Sequence, residues 1–164
     1  MKLQLFFRFL IMLLIIGGES CSKDDDEVAD GYLAATANTL AYISSKSSQG
    51  LIIDRYISDY GTVSFQLTSS SDDNKNIELF IPNFSGAGIY DIKTLKGSRM
   101  EFSTAGETWF FDRENFYSNE FDYIEITSIS KNSIEGNFKC RSMIHENTFE
   151  NLVLQGEFKG RLRH

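Results

Sequence analysis

Few residues in this chain could do chemistry. It has 164 residues with two Cys, two His and a single Trp. Nucleophilic hydrolysis needs a Ser or Cys beside a His base. His145 is the His that falls inside the body of the sequence, because His164 is its last residue, and there is no Gly-x-Ser-x-Gly elbow. His145 is expected at the end of a strand, exposed beside the Glu146-Asn147 turn. Cys140 falls on an apolar alternation and reads as a small buried hydrophobe, not a nucleophile. Two Cys and two His make a four-ligand structural zinc site a poor fit. A glycosidase needs two carboxylates, but none of the 23 acidic residues is marked out as a pair. No catalytic residue, metal ligand or cofactor is assigned.

Binding chemistry has a better candidate. Between Trp109 and Tyr123 lie seven aromatic residues, interleaved with Asp112, Arg113, Glu114, Asn115, Asn119, Glu120 and Asp122. Strand alternation predicts that Trp109 and Phe111 fill the core from one strand, and Phe121 and Tyr123 from the next. The loop from Glu114 to Glu120 leaves Phe116 and Tyr117 beside polar groups. Aromatic rings next to amides and carboxylates suit sugar faces or a protein partner. The candidate ligand-binding residues are therefore Trp109, Phe116, Tyr117 and Tyr123.

The remaining chemical feature is Cys21. Ahead of it stand Lys2, Arg8, an apolar run from Phe9 to Ile16, and Gly17-Gly18-Glu19-Ser20. A basic start, a short apolar stretch and small residues make a secretory signal over residues 1–20. A spanning helix needs about 20 apolar residues, so the run is too short to be a permanent anchor. Gly18-Glu19-Ser20-Cys21 resembles a lipobox, although Glu19 and Gly18 depart from its usual occupants, and it marks Cys21 for lipidation. The alternative is an ordinary cleaved signal that leaves Cys21 as a free thiol. Residues 21–30 follow as an acidic tether, Ser22-Lys23-Asp24-Asp25-Asp26-Glu27 at its head. The segment lacks the alternating ligands and turn glycine of a calcium loop, and it cannot bury enough apolar surface to order itself.

What must position these residues is one β domain over 31–164. Composition is ordinary for a globular chain, with 41% hydrophobic and 24% charged residues. The net charge of −7 offers no basic block for nucleic acid. Period-2 alternation runs through residues 61–69 and 76–82, and strands are also expected near 31–36, 39–45, 50–57, 88–94, 98–104, 107–112, 121–129, 134–145 and 151–162. Residues 32–43 are Ala-rich but read as two short strands with a turn at Asn38. Ile134-Glu135-Gly136-Asn137-Phe138-Lys139 and Leu154-Gln155-Gly156-Glu157-Phe158-Lys159 repeat one pattern. A turn centred near Thr148 makes them a hairpin, with Phe138 opposite Phe158, Gly136 opposite Gly160 and Cys140 opposite Gly156. The glycines then leave room for neighbouring rings.

Taken together, the lipobox-like start, Gly88-Ile89-Tyr90, the lone Trp109, Ile124-Glu125-Ile126-Thr127, Ile134-x-Gly136-x-Phe138 and Gly156-x-Phe158 resemble the small Bacteroidota-type outer-membrane lipoproteins. The acidic run after Cys21 is similar to the stretch that sends such lipoproteins to the outer face of the outer membrane. The resemblance implies a compact antiparallel β-sandwich, or alternatively a calycin/lipocalin-like closed barrel, on a lipid tether. It carries over no catalytic residue and no ligand. The expected role is a lipid-anchored, surface-displayed binding module for a glycan or an outer-membrane protein partner. A small-molecule carrier or hydrolase with an internal barrel cavity is the alternative.

Overall fold

A computed structural model describes residues 31–46, 50–111 and 121–164. The signal, Cys21 and the acidic tether lie outside the described residues, as do Phe116 and Tyr117 of the aromatic segment. The described chain is all-β. Its strands are β1 (Tyr32–Ala37), β2 (Leu40–Ile43), β3 (Leu51–Ile57), β4 (Val63–Ser70), β5 (Asn76–Ile81), β6 (Gly88–Asp91), β7 (Arg99–Thr104), β8 (Glu107–Phe111), β9 (Tyr123–Ile129), β10 (Ser133–His145) and β11 (Asn151–Arg163). Alternation builds them. In β4, Phe65, Leu67 and Ser69 are buried and their neighbours are half-buried, and in β5 buried Ile77, Leu79 and Ile81 alternate with exposed Asn76 and half-buried Glu78 and Phe80. At the β1–β2 turn Asn38 takes φ 52°, a left-handed conformation that Asn tolerates.

The strands form one sheet in the order β2-β1-β11-β3-β4-β5-β7-β8-β10-β9-β6, and β10 also pairs with β11. The two 13-residue strands organise it. On its outer side β11 pairs with β1 through residues 154–159 and with β3 at its end, while β10 pairs with β9 through residues 134–139 and with β8 through Met143–His145. Pairing therefore runs from β3 through β4, β5, β7, β8, β10 and β11 back to β3, and the sheet folds over its own core in a sandwich-like arrangement. The Tyr42 hydroxyl of β2 donates to Ser69 Oγ of β4 at 2.7 Å, joining parts of the sheet that are far apart in strand order. Among the described residues β3 and β11 are the one parallel pair, Leu162 opposite Ile53 and Arg163 opposite Asp54, so the sheet is mixed and not wholly antiparallel.

The β10–β11 register differs from the expected one by two residues. Gly136 lies opposite Phe158, Phe138 opposite Gly156, and Cys140 opposite Leu154. The physical reason is that each phenyl ring needs a glycine directly across from it. A Cβ on Gly136 would stand 2.6 Å from Phe158 Cζ, and one on Gly156 would stand 2.8 Å from Phe138 Cζ. A bulge between Cys140 and Met143 then resets the ladder before the turn.

Candidate binding site

Two grooves lie on the outer face of the sheet. The first crosses β5, β7 and β8, has a volume of about 640 Å³, and is lined by Phe80, Arg99, Glu101, Thr108, Phe110 and Glu146 among others. Its geometry follows from register. Phe80 faces Arg99 across β5–β7, and Glu101 faces Phe110 across β7–β8. The inward positions of these strands are taken by Leu79, Ile81, Met100, Phe102 and Trp109, so alternation places Phe80 and Phe110 outward and half-buried. Arg99 is fixed from two sides. Its guanidinium carbon lies 6.0 Å from the Phe80 ring centroid, and Nη2 pairs with Glu78 Oε1. The groove thus offers aromatic surface beside a held cation and two carboxylates.

The second groove crosses β1, β11, β10 and β9, with a volume of about 500 Å³ and a floor of Ala34 and Thr36. One row across it reads Tyr123, Lys139, Gln155, Thr36. Asn137 Nδ2 donates to Glu125 Oε2 at 2.8 Å on the neighbouring row. This groove is polar, with Tyr123 as its aromatic wall.

The sequence-predicted site residues are therefore not gathered in one place. Trp109 is in the core, its ring centroid 5.7 Å from Phe102 and 4.9 Å from His145. Tyr123 and Phe121 do not fill the core as expected. They stack on each other outside it at 5.6 Å, with Phe121 51% exposed, because the odd positions of β9 face outward. The lining residues Phe80, Phe110, Arg99 and Glu101 were missed. Their signal was present in the sequence as aromatic residues on the outward parity of a strand.

His145 is not exposed as expected. It is buried at the end of β10 under Trp109, and its Nδ1 accepts the backbone N–H groups of Asn147 at 3.2 Å and Thr148 at 3.0 Å. An accepting Nδ1 places the ring proton on Nε2, so the imidazole serves as a cap for the β10–β11 turn. Cys140 is fully buried, as expected, and burial with the Asp122 charge pushes its thiol up to about 12. A thiol held there is protonated at neutral pH and is no nucleophile.

Asp122 was also missed. Its side chain is fully buried, accepting the Arg141 N–H at 2.9 Å and the Ser142 hydroxyl at 2.8 Å, with Lys93 Nζ 3.5 Å away. The parity of Asp122 with Ile124 and Ile126 marks it as inward-facing, and a buried carboxylate demands such partners. Among the described residues, no group of three His, Cys, Asp or Glu could hold a metal ion, and no helix is long and apolar enough to cross a membrane. The chain matches no family model, no curated protein and no solved structure, so the grooves stand on their own geometry.

Proposed function

We propose that the protein is a lipid-anchored, surface-displayed and non-catalytic binding module of the Bacteroidota-type outer-membrane lipoprotein kind, and that it takes a glycan in the groove across β5, β7 and β8. One observation carries the reading. Interior positions are occupied by the fully buried rings of Phe65, Phe102, Phe138 and Phe158, while outward-facing Phe80 and Phe110 flank Arg99 and Glu101. A ligand is then met on the outer face, where flat apolar surface beside fixed polar groups fits the face and hydroxyl edge of a pyranose. A carrier or hydrolase would instead need interior space lined by carboxylates. The start of the chain supports the anchored part, since Cys21 closes a signal-like segment and precedes an acidic tether.

Calorimetry of the purified protein against neutral and acidic oligosaccharides tests the glycan. Binding by at least one sugar class is expected, weakened about tenfold by Phe110→Ala, which is about 1.4 kcal/mol. Tyr123→Ala, in the other groove, should leave it within about twofold. Silence across the panel, or loss on Tyr123→Ala alone, would overturn the assignment.

A further inference from the structure

One end of the domain gathers three features that the groove does not use. The first is the place where residues 1–30 join. Gly31 sits so tightly against the end of β11 and the start of β3 that a Cβ there would come within 2.6 Å of Gly160 Cα and 3.0 Å of Leu51 Cδ2. The second is the β3–β4 hairpin. Because β3 runs parallel to the end of β11 from Ile53 opposite Leu162, the four further residues to Ile57 carry it about 13 Å past that level. Its tip is closed by Ser58 N–H to Thr62 O at 2.9 Å, Gly61 N–H to Ser58 O at 2.9 Å and Thr62 N–H to Ser58 Oγ at 3.1 Å. It holds out Tyr56 at 50%, Ile57 at 68% and Tyr60 at 97% exposure. The third is charge. Lys131, Arg161 and Arg163 are exposed at the same end, where Leu162 N–H donates to Asn132 O at 3.1 Å and His164 Nε2 meets Lys131 O at 3.0 Å. Asp54 and Asp59 are the acids of the hairpin, and Asp54 accepts the Tyr56 hydroxyl at 3.2 Å.

We infer that this end is a membrane-docking face: the β3–β4 tip inserts Tyr60 and Ile57 at the interface of a bilayer, and Lys131, Arg161 and Arg163 meet the phosphates of anionic lipid headgroups. The inference rests on the lipid-anchored reading for its orientation. Tyrosine is enriched at the water–lipid boundary, where its ring is buried and its hydroxyl stays wet. The cations stand against the sign of a chain whose net charge is −7, which is what complementarity to an anionic surface requires. The attachment point agrees in position. The ten residues from Cys21 to Asp30 reach at most about 36 Å, and Gly31, the residue they join, lies at the end that carries the tip. Docking would hold the two grooves away from the bilayer in a fixed attitude instead of letting the domain tumble on its tether.

The test uses the full-length protein in vesicles of phosphatidylethanolamine and phosphatidylglycerol carrying brominated acyl chains. Tyr60→Trp places a reporter at the tip, and Phe149→Trp places one in the β10–β11 turn, about 40 Å of strand away. Trp109 is a constant, buried background. At least a twofold loss of the Tyr60→Trp emission is expected, with none for Phe149→Trp. Adding Lys131→Glu, Arg161→Glu and Arg163→Glu should abolish the quenching while the far-UV spectrum stays that of a β protein. Equal quenching at both positions, or none at Tyr60→Trp, overturns the docking face. Intact mass separates this from the anchored reading. Acylated protein with an unquenched tip keeps the anchor and rejects the docking, while a quenched tip on protein lacking acyl mass does the reverse.

Discussion

At the residue scale the most constrained feature is the exchange of rings and glycines between β10 and β11. Phe138 lies over Gly156 and Phe158 over Gly136, each ring filling the space that the opposite residue leaves. Phe158→Ala or Phe138→Ala should cost about 3–5 kcal/mol in chemical denaturation, as for buried phenyl rings elsewhere. Gly136→Ala should destabilise by a further route. Its Cβ would stand 2.3 Å from the Glu125 carbonyl oxygen as well as against Phe158. Combining it with Phe158→Leu should therefore restore only part of the loss, and full recovery would show that the backbone contact is slack. The pairing was half legible in the sequence. The repeated Gly-x-Phe pattern shows that glycine makes room for a ring, but two identical motifs suggest like opposite like, and the bulge after Cys140 leaves no local trace.

Two side chains at this scale also set a pH dependence. Burial pushes the Tyr42 phenol up from 10.0 to about 12, and burial with the Asp122 charge pushes the Cys140 thiol up from 9.0 to about 12. Each folded value lies above the unfolded one, so the native state holds these protons more tightly. That contribution is complete below about pH 9 and is lost as pH rises through about 12. Unfolding free energy measured from pH 8 upward should fall across this window. Tyr42→Phe and Cys140→Ala should each flatten the decline, and an unchanged slope in both variants would show that other groups titrate there.

At the element scale, eleven strands follow from alternation and turn residues, because all but the short edge strand β6 bury side chains in a common core and side-chain period is all that burial requires. Turns at Asn38 and between β9 and β10 fall where the sequence places them. Partners separated by long stretches of chain were not legible. The β3–β11 pairing joins Ile53 to Leu162, and nothing in either strand names the other. Phe80 lies outside the dense aromatic run that begins at Trp109 and Phe110 lies within it, and density alone does not separate an outward ring from an inward one, which only strand parity does. The segment from Asp122 into β9 is tied to its surroundings by a different device. Asp122 accepts from the Arg141 backbone and the Ser142 hydroxyl of β10 and stands 3.5 Å from Lys93 beyond β6, so two separate parts of the chain converge on its carboxylate. Asp122→Ala should cost about 3–5 kcal/mol, because it removes a buried carboxylate that accepts two hydrogen bonds and faces the Lys93 ammonium. Adding Lys93→Met should recover part of it. If the double variant is as unstable as Asp122→Ala alone, the backbone and hydroxyl bonds carry the whole effect.

At the scale of the whole molecule, the closure of the sheet and the attachment of the chain meet at one place. Gly31, Leu51 and Gly160 lie together there, next to the parallel pairing of β3 with β11 that completes the ring of strands. Whatever pulls on the N-terminal segment therefore pulls on the seam of the fold, and that seam is made by residues far apart in sequence, a topology that folds slowly and resists local fraying. Such an attachment suits a domain held by its N-terminus at a surface. Under the anchored reading the signal segment is removed before Cys21, the cysteine takes more than one acyl chain, and the domain sits at the bilayer surface without spanning it. A single chain gives marginal membrane affinity and two give stable anchoring, so the effect of losing the site should be all but complete. Cys21→Ser should eliminate incorporation of labelled fatty acid and move the protein from the membrane pellet to the soluble fraction after a high-salt wash. The wash matters because Lys131, Arg161 and Arg163 at the proposed docking face give a salt-sensitive hold that screening removes. Unaltered acyl labelling and membrane retention in the Cys21→Ser protein would place the anchor elsewhere in the chain.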